Sequence, residues 1–199
     1  EAFIHHQQGQ DDLERLALKR YVWGYGDLAH AAQFLPWAAA VSLQDVGLND
    51  LAMQALADGY NRRANLKPVF LPTMADSYID IAQAFYSQGN REYARQVYQF
   101  SAQIQPRPLA CNALGVFAYQ ARNYAEARAW WEQSLQVDPT QAEVHTNLFR
   151  AAYLEKDYPR ALRHLESALR LDQILTPQQR AEDQRTIAEL RRQLRLPSP

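Results

Sequence analysis

The sequence predicts an all-α solenoid built from stacked helical pairs, and three observations carry that expectation. A single period runs through much of the chain, with second-helix alanines at Ala94, Ala127 and Ala161 separated by 33 and then 34 residues. Within each period the apolar residues recur at helical rather than alternating spacing. Asn90, Asn123 and Asp157 stand where each second helix would begin, as N-caps able to accept backbone N–H bonds. The segments "DSYIDIAQAFYSQGNREYARQVYQFSAQIQP", "LACNALGVFAYQARNYAEARAWWEQSLQVDP" and "EVHTNLFRAAYLEKDYPRALRHLESALRLDQ" therefore align without internal gaps. Each reads as two short amphipathic helices joined by a tight turn.

In chain order, "DDLERLALKRYVW" predicts a helix broken by Gly24 and Gly26. Residues 27–64 read as a degenerate helical pair, because Gly47 and Ala52 mirror Gly89 and Ala94, although Pro36 must begin or kink a helix. The prolines of "NLKPVFLPTMAD" predict an extended link, and Thr73 with Asp76 predicts a capping box for the next helix. Tyr78, Ile81 and Phe85 then make one apolar stripe. Gly115 and Ala127 are small enough for paired helices to approach closely. Phe149 puts a bulky ring in a slot that is small elsewhere, so the third pair is expected to pack at a different angle. Pro159 suits the first turn of its helix. Thr176, Pro177 and Gln179 open a last helix whose apolar residues Ile187, Leu190 and Leu194 lie on one line, as a solenoid cap requires. The expected organisation is an N-terminal helical region at 1–72, three repeats at 73–175 and a capping helix at 176–199.

These residues resemble the tetratricopeptide repeat, whose pattern of about 34 residues is W-x2-L-G-x2-Y, then A-x3-F, then P. The first segment matches it through Tyr78, Ile81, Ala82, Phe85, Ala94, Tyr98 and Pro106. The second supplies Cys111, Leu114, Gly115, Ala118, Ala127, Trp131 and Pro139. The third supplies His145, Leu148, Phe149, Ala152, Ala161 and Leu165, with Gln173 in place of the proline. The resemblance implies a right-handed α-α superhelix and a non-catalytic protein-interaction scaffold. It also implies a concave groove for a peptide or partner helix, lined by first-helix residues off the packing stripe. Those are Ile79, Gln83 and Tyr86; Asn112, Val116 and Tyr119; and Thr146, Arg150 and Tyr153. Tyr86, Tyr119 and Tyr153 form the expected ladder, flanked by Gln83, Asn112, Asn147 and Arg150. Ile79 and Gln83 replace the lysine and asparagine that hold a chaperone C-terminal carboxylate in some family members, so that activity is not carried over.

A second resemblance rests on an acidic helix, "AQFLPWAAAVSLQ", a proline-bounded link and then repeats. That order is similar to the soluble C-terminal region of bacterial O-antigen ligase or oligosaccharyltransferase membrane proteins. It implies a periplasmic or membrane-tethered domain that positions an acceptor while the chemistry lies in a membrane portion. The start at Glu1 rather than Met is consistent with a processed product or an excised piece.

Lys and Arg total 21 against 22 Asp and Glu, so no global charge selects nucleic acid. The stretch from Arg160 to Arg195 is Arg-rich and ends in "RRQLR", which keeps nucleic-acid binding through that end as an alternative to a solvated helix face. Cys111 is the single cysteine, so no intrachain disulfide forms. There is no Gly-rich phosphate loop, HExxH or paired-cysteine spacing, and no enzyme activity, metal, cofactor or small-molecule substrate is expected. Cys111 and His145 each fill the leading core slot of a repeat, which outweighs a nucleophile–base pair. His5 and His6 adjoin a Gln-rich terminus and are weak metal candidates, and His30 and His164 stand alone. Trp130 and Trp131 point about 100° apart on one helix, so they cannot share a slot. Trp131 belongs to the core, four residues after Ala127. Trp130 either covers a seam between helices or is an exposed anchor for a partner.

Overall fold

The computed structural model describes residues 49–65, 68–172 and 174–195. The helix expected over "DDLERLALKRYVW" and the first half of the degenerate pair lie outside the described residues. The chain divides into two compact units, residues 1–105 and 106–199. Among the described residues all regular structure is helical.

The first unit holds α1 (Asn49–Arg62), α2 (Leu71–Ser87) and α3 (Arg91–Ile104). Ala52 of α1 is fully buried, as is Ala94 of α3 in the corresponding slot, and Leu56 follows Ala52 one turn later in the core. The Tyr78 hydroxyl donates to the Leu56 carbonyl at 2.7 Å, tying α2 to α1. The Ser101 hydroxyl donates to the Ala75 carbonyl at 2.8 Å, tying α3 to α2. Burial pushes the Tyr78 phenol well above its ordinary value, so it remains a donor at any ordinary pH.

The link between α1 and α2 corrects the expectation of extended chain. Arg63–Asn65 and Pro68–Phe70 are 3-10 turns, and α2 already begins at Leu71 with Pro72 in its first turn. Proline fixes φ near −65°, which suits a helical first turn as well as an extended segment. Thr73 is accordingly inside the helix and caps nothing. Phe70 is the N-cap, and the Thr73 carbonyl accepts from the Ser77 hydroxyl at 2.9 Å.

The second unit holds α4 (Pro108–Gln120), α5 (Tyr124–Val137), α6 (Ala142–Leu154), α7 (Tyr158–Leu171) and α8 (Pro177–Gln193). Ser134 repeats the role of Ser101, its hydroxyl donating to the Pro108 carbonyl at 2.9 Å. Ala118, Ala127, Trp131, Val144, Leu148 and Ala151 form one buried cluster. Ala152, Ala161, Leu162 and Leu190 form the next, with Phe149, Ile187 and Leu194 packed against it. The bulky Phe149 ring thus sits against a cluster that the last helix completes. Thr176 and Gln179 make the expected capping box at the start of α8.

Three turns have the same construction. Gly89, Arg122 and Lys156 hold φ of 83°, 60° and 59°, the left-handed conformation that follows a helix C-terminus. The next residue's N–H reaches back to a carbonyl of the preceding helix in each case: Asn90 to Phe85 O, Asn123 to Ala118 O and Asp157 to Ala152 O, all at 2.9 Å. The side chains of Asn123 and Asp157 then accept from the N–H of Glu126 and Arg160, as expected of N-caps. Asn90 does not, and its place is held by the backbone alone.

Candidate partner-binding face

The candidate face in the second unit is set by the Trp131 side chain. Its indole lies against Gly115 and donates from Nε1 to the Asn112 carbonyl at 3.2 Å. That bond fixes the tryptophan against the turn of α4 that carries Asn112. The Asn112 side-chain oxygen in turn accepts from Asn147 Nδ2 at 3.3 Å, which joins α4 to α6. The structure therefore brings together Asn112 and Asn147, two of the residues the sequence singled out.

Tyr119 and Tyr153 occupy equivalent places near the C-termini of α4 and α6. Tyr119 is half-buried, with ring centroids 5.8 Å from Trp131 and 5.3 Å from Tyr124. Tyr153 is 48% exposed and lies 5.9 Å from Tyr158 and 5.8 Å from Phe149. Each ring is thus braced by a tyrosine five residues later, across the turn. Sequence reasoning overlooked Tyr124 and Tyr158, although "YQARNY" and "YLEKDY" show the spacing. In the first unit Tyr86 is 47% exposed, and Arg91, again five residues on, places its guanidinium 5.6 Å from the ring centroid. Gln83 is exposed one turn earlier. Ile79 is buried and drops out of the stripe, because an aliphatic side chain there joins the core rather than meeting solvent.

Arg150 is exposed on α6 and acts electrostatically on Asp183 of α8, holding down a carboxyl that burial pushes up. Trp130 is half-buried, and its indole N–H reaches Glu126 of the same helix at 3.4 Å. Several arginines of the Arg-rich stretch have structural work within the unit. Arg180 donates to the Asp172 and Leu169 carbonyls at 2.9 and 3.3 Å, closing the C-terminus of α7. Arg191 meets Glu166 at 2.6 Å and Arg160 meets Asp157 at 3.4 Å.

The histidines correct the sequence reading. His164 does not stand alone and His145 is not sealed in the core: both are half-buried, with their Nδ1 atoms 3.1 Å apart. Burial above all, then the charges of His145, Arg163 and Arg160, pushes His164 down to about 4 against the pull of Asp157. Burial and Arg170 lower His145, while the Pro139 backbone opposes the shift. Because both folded values lie below the unfolded value of about 6.5, the unfolded chain binds more protons between pH ~4 and ~6.5. The pair's contribution is therefore complete above that window and is lost as pH falls through it. Partial exposure limits the His164 share to about 1–2 kcal/mol. Melting temperature is expected to drop more steeply from pH 7 to pH 4.5 in the natural chain than in His164→Gln. Parallel pH profiles would remove the pair as the cause. Cys111 is fully buried and its thiol is pushed up to about 11, so it is protonated at neutral pH.

Among the described residues no helix is long and apolar enough to cross a membrane, and no three His, Cys, Asp or Glu side chains are grouped to hold a metal ion. The helical pairs, their turns and the small-residue contacts define a helical-repeat solenoid fold of the tetratricopeptide type. Residues 108–141 match the family model described as Tetratricopeptide repeat, one repeat of α4 and α5. The solved structure of MamA AMB-1 is 18% identical, with a TM-score of 0.53 over 81% of this chain and 82% of that one. PilF of Pseudomonas aeruginosa is 19% identical at TM-score 0.50, covering 97% of this chain and 86% of its own. The C-terminal part of a TPR repeat-containing protein from Cytophaga hutchinsonii is 17% identical at TM-score 0.50, over 92% and 70%. No curated protein matches the sequence. The resemblance to O-antigen ligase and oligosaccharyltransferase finds no support in these comparisons.

Proposed function

We propose that this chain is a non-catalytic interaction module that binds an extended peptide or a partner helix through its tyrosine-bearing first-helix face. The observation that carries this reading is the repeated bracing of Tyr119 by Tyr124 and of Tyr153 by Tyr158. A braced ring has little rotamer freedom left to lose, so it binds at low entropic cost. Asn112 and Asn147 add amide donors and acceptors suited to an extended backbone, and Arg150 adds a guanidinium that a partner carboxylate would share with Asp183. Tyr86 and Gln83 extend the same residue pattern to the first unit. A rigid amphipathic ladder suits a peptide or helix better than a compact metabolite.

The test begins with peptides selected from a displayed random library on the natural chain. Tyr153→Ala should weaken the selected peptides by about 1–2 kcal/mol, roughly five- to thirtyfold, in calorimetric titration. Its melting temperature should barely change, because about half of the Tyr153 ring already meets solvent. Tyr119 is less suitable for this purpose, since its ring also supports Trp131. Unchanged affinity in folded Tyr153→Ala would move the site off this face, and Trp130 would be the next residue to truncate.

A further inference from the structure

We propose that the facing imidazoles of His145 and His164 make the tyrosine-bearing face acid-sensitive, so that a bound peptide is released when both rings carry an added proton. This regulation rests on the reading of that face as a peptide site. The two rings come from α6 and α7 of one helical pair, with centroids 5.4 Å apart and Nδ1 atoms 3.1 Å apart. Both rings are half-buried, and the two nitrogens are placed in line to share a single hydrogen.

Counting protons shows what acid does to the pair. In the neutral pair one Nδ1–H donates to the other Nδ1. A first added proton can enter at the other nitrogen of the donating ring and leave that bond in place. A second must enter at the accepting Nδ1, where two N–H groups would then point at each other. The surrounding charges sharpen the conflict. Arg160, Arg163 and Asp157 act on His164 and Arg170 acts on His145, so two new positive charges would join three arginines and one carboxylate. Asp157 is already paired with Arg160 at 3.4 Å. The partnered charges of the helices packed alongside act elsewhere. On α5, Glu126 bonds Asn123 and Arg128 meets Glu155. On α8, Arg180 bonds the Leu169 and Asp172 carbonyls, Arg191 meets Glu166, and Asp183 feels Arg150.

The break falls beside the face. His145 stands in the first turn of α6, in a slot that the buried Tyr78 and Cys111 fill in the other pairs. A ring driven from that slot withdraws packing from the start of α6. Asn147, two residues on, makes the joint to α4 through Asn112 at 3.3 Å, and Arg150 and Tyr153 follow on the same helix. The closed arrangement holds both rings below their ordinary value, so it binds fewer protons than a loosened one. Peptide affinity is therefore complete above about pH 6.5 and falls as the pH drops below it.

The probe is a library-selected peptide without histidine, aspartate or glutamate and with blocked ends, so that it does not titrate itself. Its affinity for the full chain is measured calorimetrically at about pH 7.5 and about pH 5.0, with circular dichroism at both. The natural chain should bind roughly fivefold or more weakly at the lower pH while keeping its helical content. His164→Val, a residue already present in this slot as Val97, should lose less than about twofold over the same range. His145→Tyr, matching Tyr78, is a second variant with the same expectation. Both keep Asp183, so an acid loss that persists in them belongs to that carboxyl and overturns the proposal. On the natural chain alone, saturating peptide should move the imidazole ¹⁵N titrations of His145 and His164 to lower pH, because the coupling is reciprocal. Unmoved titrations, a flat affinity profile, or helix lost together with binding would each overturn it as well. Tyr153→Ala keeps the two readings apart. If that variant binds normally the face itself is wrong, whereas weakened binding beside a flat pH profile in the natural chain removes the acid response alone.

Discussion

Trp131→Ala is expected to lower stability by about 3–5 kcal/mol, the range for emptying a buried aromatic site. The indole is 1% exposed, lies in the cluster with Ala118, Val144 and Leu148, and supports the Tyr119 ring. Its removal leaves a cavity between α4 and α5 and also frees the Asn112 turn that its N–H holds. The adjacent Trp130→Ala should cost less than about 1.5 kcal/mol, because that ring is only half-buried and its bond to Glu126 is long. Denaturant melts of the two variants, compared at equal slope, decide the matter. Equal losses would mean that the two tryptophans are not divided between core and seam.

Gly115→Ala should be the next most damaging of the single changes considered, at about 1–3 kcal/mol, the usual range for overpacking. Glycine to alanine in a helix would otherwise gain nearly 1 kcal/mol, so the sign itself is diagnostic. A methyl group at this position would stand 2.3 Å from Trp131 Nε1 and 2.5 Å from Cδ1. The enclosed ring cannot swing into solvent to relieve that overlap, so α4 and α5 must move apart. The first repeat suggests the remedy, since it pairs Ala82 with Tyr98 where this one pairs Gly115 with Trp131. In a Trp131→Tyr background, Gly115→Ala should therefore cost little or nothing. A double-mutant cycle measures the coupling, expected at about 1–3 kcal/mol in favour of the double variant. Simple additivity would show that the steric clash is absorbed elsewhere.

The repeats were legible in the sequence because their period is carried by small residues at closely packed positions, Ala94, Ala127 and Ala161, all fully buried. The capping box at Thr176 and the caps at Asn123 and Asp157 were equally legible, being local in the chain. The proline link was misread because proline fits both an extended segment and a helical first turn, and its neighbours in space decide between them. The candidate face was legible in part. Tyr119 and Tyr153 recur at equivalent repeat positions, and their place on a groove is what the resemblance implies; their bracing by Tyr124 and Tyr158 crosses a turn, where spacing rules for one helix do not apply. The His145–His164 contact was not legible at all. Its members lie 19 residues apart on different helices, and neither slot carries histidine in the other repeats.

The three helix-to-helix turns have a consequence for where foreign sequence can be grafted. Asn90, Asn123 and Asp157 each close one helix with their N–H, and each carbonyl opens the next by accepting from Ala94, Ala127 and Ala161 at 2.9–3.0 Å. One residue thus belongs to two helices, and the turn has no slack. A single inserted residue there would break both hydrogen bonds and rotate the second helix out of register with its apolar stripe. Among the described residues of the segment between α7 and α8 none is shared in this way, and Ile174 there is 92% exposed. An epitope, a protease site or a reporter spliced in beside Ile174 meets solvent at once, while the same splice at Arg122 or Lys156 dismantles a helical pair.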